Sequence, residues 1–85
     1  MSREEIKEQL KELMVKTWEL PLKPENLLDD ENNLEKYGIN SIDVLELLVM
    51  IEDEFSIEID DSDISAELVE SIINMTEYIY VHQDK

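Results

Sequence analysis

Apolar residues recur at helical spacing in three stretches of the chain, separated by segments that lose the pattern. Ile6, Leu10, Leu13 and Met14 form one stripe, which predicts a helix over residues 3–17. Ser2 stands where a cap is needed, and Glu4 and Glu5 occupy the first turn, where the helix dipole favours acids. Lys7, Lys11 and Lys16 place much of the chain's positive charge on this helix. The pattern then breaks over residues 18–40. Pro21 and Pro24 oppose a continuing helix, and Asp29, Asp30, Asn32 and Asn33 are turn formers. Leu20, Leu22, Leu27, Leu28, Leu34 and Tyr37 punctuate this long loop, and several should pin it to the core. A short helical turn fits around Asn33–Tyr37, and a loop of this length tends to be functional.

Residues 41–55 carry the strongest helical signal, with Gly38 ending the loop and Asn40 or Ser41 as cap. Residues 56–61 read as a connection. The run Ser56–Ile59 has strand character but no evident pairing partner. One or two helical turns fit between Asp61 and Glu67. Ser71 then caps a last helix over about 72–82, with Ile72, Met75, Ile79 and Tyr78 facing inward. The expected fold is all-α: three main helices, one short helix, and a long loop between the first two main helices. A single domain spans 1–85 in this reading.

On a helical wheel with Ser41 at zero, Val44, Leu47, Leu48, Ile51 and Phe55 fall within roughly 240–340°, the stripe a bundle helix buries. Ile42, Leu45 and Val49 fall nearly opposite, at roughly 40–100°. Glu46, Glu52 and Asp53 border that second cluster. A small domain cannot easily bury both faces of one helix. An apolar patch with an acidic rim therefore reads as a docking surface. The alternatives are that the long loop covers the patch and that the acids are simply solvated. Met50, near 180°, fits either face.

Composition sharpens this picture. The chain has 85 residues, 23 acidic against 7 basic, and a formal net charge of −16. That charge repels nucleic acid and anionic membranes and attracts partners with basic surfaces in a salt-sensitive way. A hydrophobic fraction of 42% with regular spacing argues for a folded domain, not an acidic tail. There is no cysteine, hence no disulfide or Cys-based metal site, and the one histidine, His82, argues against a His-rich metal centre or a Ser/His triad. No apolar run approaches the roughly 20 residues of a membrane span, and the charged start MSREEIKEQL lacks a signal-peptide core, so a cytoplasmic protein is expected. A calcium loop starting at Asp30 would need Gly at Glu35, and one starting at Asp61 would need Gly at Ala66, so neither closes.

Ser41 is the residue with candidate chemistry. As an N-cap it would be purely structural. If Asn40 caps instead, Ser41 becomes the first helical residue, its hydroxyl is free, and the helix end beneath it suits a phosphate. No His or Lys in the same segment could activate it as a nucleophile, so any modification must come from another enzyme.

At these residues the sequence resembles the acyl carrier protein family. The match runs through GINSIDVLELLVMIEDEF, residues 38–55, and SIEIDDSDI, residues 56–64. The resemblance implies a small four-helix carrier-protein bundle with no catalytic activity of its own. It implies that Ser41 receives 4'-phosphopantetheine from coenzyme A by the action of a magnesium-dependent phosphopantetheinyl transferase. The arm's thiol would hold acyl intermediates as thioesters for fatty-acid, polyketide or related biosynthesis. It further implies that Asn40, Ile42, Leu45, Glu46, Val49, Glu52 and Asp53 meet basic docking patches on loading and processing synthase enzymes, and that the protein is a monomer without a bound metal. Asn40 and Ile42 stand where the family usually has Asp and Leu. These departures lean towards a discrete carrier of a specialised pathway, such as polyketide or nonribosomal peptide synthesis. The rival reading is an acidic protein-interaction domain of carrier-like fold that is never modified.

Overall fold

The computed structural model describes residues 1–29 and 32–83, with the side chains of Asn33 and Ala66 left out of the description. Among the described residues the chain is all-helical, with α1 at Arg3–Trp18, α2 at Asn33–Lys36, α3 at Ser41–Phe55, α4 at Ala66–Glu70 and α5 at Ile72–His82. α1 packs against both α3 and α5, and α4 packs against α5. Three long helices and short ones between them are the expected architecture, with α2 as a second short helix inside the long loop.

Local chemistry accounts for each boundary. Ser2 Oγ accepts the Glu5 N–H at 3.2 Å while the Glu5 carboxylate accepts the Ser2 N–H at 3.0 Å. This reciprocal pair satisfies two otherwise unpaired donors at the start of α1, and the Ser2 N–H holds the Glu5 carboxyl below its usual range. α1 and α3 both end on a left-handed residue that is not glycine, Glu19 at φ 50° and Ser56 at φ 54°. In each case two successive N–H groups return to one carbonyl of the last turn: Glu19 and Leu20 to Val15, Ser56 and Ile57 to Glu52. Gly38 ends α2 in the same left-handed region at φ 65°, but here the two bonds part: its N–H goes to the Glu35 carbonyl at 3.4 Å and the Ile39 N–H to the Leu34 carbonyl at 2.8 Å. Here glycine avoids the roughly 1–2 kcal/mol cost of a left-handed Cβ.

The core is one cluster. Ile6, Leu10, Leu13 and Met14 of α1 meet Leu47, Leu48, Ile51 and Phe55 of α3 and Ile72, Met75 and Ile79 of α5. All three inward stripes are those the spacing predicts, with Val44 and Tyr78 half-buried at the edges of the second and third. The long loop is firmly held. Leu27 is fully buried, and Leu20, Leu22, Leu34 and Tyr37 pack partly against the core. Leu28 is an exception, at 47% exposure. Pro24 opens a 3-10 turn over Pro24–Asn26, because its missing N–H costs nothing at a first helical position. Asp29 ties the loop to two helices: its carboxylate meets Lys7 at 3.0 Å and Lys11 at 2.7 Å, and its carbonyl accepts the Ile73 N–H at 3.1 Å.

Between α3 and α5 the connection expected over 56–61 is found, and the helical turns expected after it are divided. Ser56–Ile59 forms no strand; Ile57 and Ile59 alternate into the core from extended backbone instead. The helical turns expected between Asp61 and Glu67 are two pieces, because two side chains cap separately. Asp60 accepts the Ser62 N–H at 3.0 Å and starts a 3-10 turn over Asp61–Asp63. Ser65 then accepts the Leu68 N–H and starts α4, which runs on to Glu70. Ser71 caps α5 through the Asn74 N–H, and Asn74 Nδ2 donates back to the Glu67 carbonyl at 2.8 Å, fixing α4 to α5.

Candidate functional site

The site is the first turn of α3 and the outer face that follows it. Asn40 has extended backbone, and its Oδ1 accepts the Asp43 N–H at 2.9 Å. Asn40 is therefore the cap, and Ser41 is the first helical residue and exposed. The N–H groups of Ser41 and Ile42 lie before the first intrahelical acceptor, while the Val44 N–H reaches the Asn40 carbonyl at 3.1 Å. An anion on Ser41 Oγ would meet unpaired amides and the positive end of a 15-residue helix. The residues at this turn fit a phosphodiester on Ser41: the hydroxyl is unneeded for capping and stands in solvent.

Ile42, Leu45 and Val49 are 73%, 53% and 61% exposed. The described residues of the long loop do not cover them, and the second apolar face of α3 is an open surface. Glu46 and Asp53 border it and are exposed. Glu52 departs from the expectation. Its carboxylate turns away from the rim, accepts the Ile59 N–H at 2.9 Å and is half-buried. The extended segment after α3 needs an acceptor for that amide, and Glu52 supplies it. Met50 belongs to the core side, partly buried against the main cluster.

Trp18 is the contributor that the sequence pattern leaves out. Its Nε1–H donates to the Asp43 carbonyl at 3.1 Å, joining the end of α1 to the first turn of α3. The two residues lie 25 positions apart, and no local spacing signals such a pair. His82 is engaged elsewhere: its ring stacks on Tyr78 with centroids 4.0 Å apart, and Nδ1 lies 2.8 Å from the Tyr78 carbonyl. Tyr78 in turn donates to Asp63 at 2.8 Å, and burial together with that carboxylate pushes its phenol up. Among the described residues no group of three or more His, Asp or Glu side chains is arranged to hold a metal ion. Among the same residues no helix is long and apolar enough to cross a membrane.

The chain matches the family model described as "Phosphopantetheine attachment site" over residues 8–79. It is 31% identical over 83 residues to the acyl carrier protein of Lactobacillus acidophilus, covering 98% of this chain and 99% of that relative. It is 36% identical over 61 residues to the mitochondrial acyl carrier protein of Neurospora crassa, covering 72% of this chain and 44% of the longer relative. Among solved structures, an acyl carrier protein from Enterococcus faecalis studied for its high thermal stability superposes with a TM-score of 0.76. The identity there is 28%, with 96% of this chain and 99% of that one covered.

Proposed function

This chain belongs to the acyl carrier protein family, and we propose that Ser41 is the residue on which it carries its 4'-phosphopantetheine arm. As a carrier it is not an enzyme; it is a substrate of a phosphopantetheinyl transferase and a partner of synthase enzymes. The arm supplies the thiol that holds acyl groups as thioesters, which is why a chain without cysteine can do this work. The observation that carries the assignment to Ser41 is the division of labour at the start of α3. Asn40 satisfies the cap, so the neighbouring hydroxyl is exposed at a helix end suited to a phosphodiester. The Ser41 oxygen would form the new bond to the pantetheine-side phosphorus of coenzyme A. The pyrophosphate linkage would break there, the adenosine bisphosphate would leave, and the serine proton would pass to a base of the transferase.

The same helix offers the docking surface. Ile42, Leu45 and Val49 form an apolar centre, with Glu46 and Asp53 as the rim that meets basic patches on partners. Glu52 adds charge nearby but is held by Ile59, and Asn40 contributes as the cap that sets Ser41 in place. A net charge of −16 opposes self-association and favours a monomer, and a cytoplasmic location is the reading that goes with a carrier among whose described residues no helix is long and apolar enough to cross a membrane. The plain acyl carrier names of the relatives fit fatty-acid biosynthesis. They lend no support to the lean towards polyketide or nonribosomal peptide pathways, nor to an unmodified interaction domain.

Intact mass after incubation with coenzyme A, magnesium and a broad-specificity transferase tests the assignment, with Ser41→Ala in parallel. One phosphopantetheine should be gained by the parent chain and none by the variant. A gain that persists in Ser41→Ala would move the site elsewhere, and no gain in either would remove the carrier role.

A further inference from the structure

We infer that Trp18 is a positioning residue for the loading of Ser41, holding the first turn of α3 against the end of α1 through its indole N–H. The inference rests on Ser41 being the attachment residue.

Trp18 is the chain's single tryptophan and the last residue of α1. It is half-buried and packs partly against the core. A partly buried indole needs a partner for its N–H. Here the partner is the Asp43 carbonyl at 3.1 Å, two residues beyond Ser41. The same carbonyl is the intrahelical acceptor for the residue four positions on, and its second lone pair serves the indole.

The first turn of α3 has reason to need such a tie. Ser41 and Ile42 are exposed, Asp43 and Val44 are half-buried, and Leu47 is the first fully buried side chain of the helix. The Asn40 cap is local and fixes the turn's shape, but not its place relative to the rest of the bundle. The Trp18 bond closes the whole segment from residue 18 to residue 43 upon itself. It sets where the serine stands relative to α1. Trp18 also walls a shallow groove with Lys16, Glu19, Asp43, Glu46 and Met50, so the rim acid Glu46 is referenced to the same indole. A transferase must bring its bound coenzyme A to one oxygen, and misplacement by about 1 Å can cost on the order of 100-fold in rate.

The alternative is that Trp18 only fills space. Two replacements of the indole separate the readings, because one keeps the shape and loses the donor. β-(3-benzothienyl)alanine at position 18 has sulfur in place of N–H, whereas 7-azatryptophan retains the N–H. Transfer from coenzyme A by one purified transferase is measured for each chain, together with amide exchange along α3. The donor-free chain should show kcat/KM lowered about five-fold. The loss should lie in KM with kcat unchanged, as when only a fraction of molecules presents the serine correctly. Exchange should quicken at Asp43 and Val44 and stay unchanged from Leu48 to Phe55, and the 7-azatryptophan chain should recover both. Transfer and exchange unaltered in the donor-free chain would overturn the inference while leaving the carrier reading intact. Exchange quickened along the whole of α3 would also overturn it, since Trp18 would then be a general structural residue. A parent chain that cannot be loaded at all would overturn the carrier reading and this inference with it.

Discussion

Asn40 decides what Ser41 is free to do. Serine before an apolar helical run is ordinarily a cap, and in this chain an equally good cap stands one position earlier and takes the Asp43 N–H. Asn40→Ala should therefore cost about 1 kcal/mol, whereas Ser41→Ala should cost well under about 1 kcal/mol. Urea unfolding of both variants checks this, and a larger loss at Ser41 than at Asn40 would exchange their roles. The acids divide in a similar way. Glu46 and Asp53 are exposed, while Glu52 holds the Ile59 amide. Glu52→Ala should destabilise the fold by about 1–3 kcal/mol, because a partly buried donor loses a charged acceptor. Glu46→Lys and Asp53→Lys should leave the melting curve nearly unchanged and slow transfer from partner enzymes at low salt, with the defect shrinking as salt rises. Normal transfer in both lysine variants at low salt would detach the rim from docking.

At the scale of the element, α3 works with two opposite faces. Its inner stripe ends in Phe55, which is buried at 9% exposure, and Phe55→Ala should cost about 3–5 kcal/mol. For a domain this small that approaches the entire stability. The outer stripe should behave in the reverse manner: Leu45→Ser should shift stability by less than about 0.5 kcal/mol, since Leu45 is 53% exposed, yet should weaken partner transfer. Thermal melts alongside a transfer assay read both, and a fold lost with Leu45 would place that face in the core. The helices and their inward faces were legible in the sequence because their causes are local. Ser2, Asn40 and Ser71 cap within three residues, and the apolar stripes repeat at 3.6. The geometry of the candidate site was legible for the same reason, since Ser41 and the outer face lie on one helix. The contacts that hold the site in place were not. Trp18 with Asp43, Asp29 with Lys7 and Lys11, and Glu52 with Ile59 join segments whose approach only the folded chain sets. The left-handed ends at Glu19 and Ser56 escaped notice because no glycine marks them. The split of residues 61–67 was hidden because Asp60 and Ser65 each look like an ordinary loop residue until both cap.

At the scale of the whole molecule, a net charge of −16 must be held together, and the few cations are used with economy. Lys7 and Lys11 both meet Asp29, whose side chain is 31% exposed, and the Asp29 backbone bonds to α5. One residue thus links α1, the long loop and α5. Burial pushes the Asp29 carboxyl up, but the hydrogen bonds and charges of Lys11 and Lys7 together outweigh it, so it titrates below the usual carboxylate range. The Asp29 bond is the main reason Lys7 is raised above the ordinary lysine value. Because the folded carboxyl is the stronger acid, its contribution to stability is complete above the unfolded value near about 3.9 and disappears as pH falls through the lower folded value. Because folded Lys7 is the weaker acid, its contribution is complete below about 10.4 and is lost as pH rises through the raised value. Asp29→Asn should accordingly cost about 1–2 kcal/mol, discounted for the partial exposure of the trio. That cost should be flat from about pH 5 to pH 9. Below about pH 4 the gap between parent and variant should close, even as protonation of the other acids relieves repulsion in both chains alike. Chemical denaturation across that range measures the difference directly. A gap that stays constant down to pH 2 would mean that it does not arise from the carboxylate's charge, and no gap at any pH would mean that the Asp29 backbone alone fastens the loop.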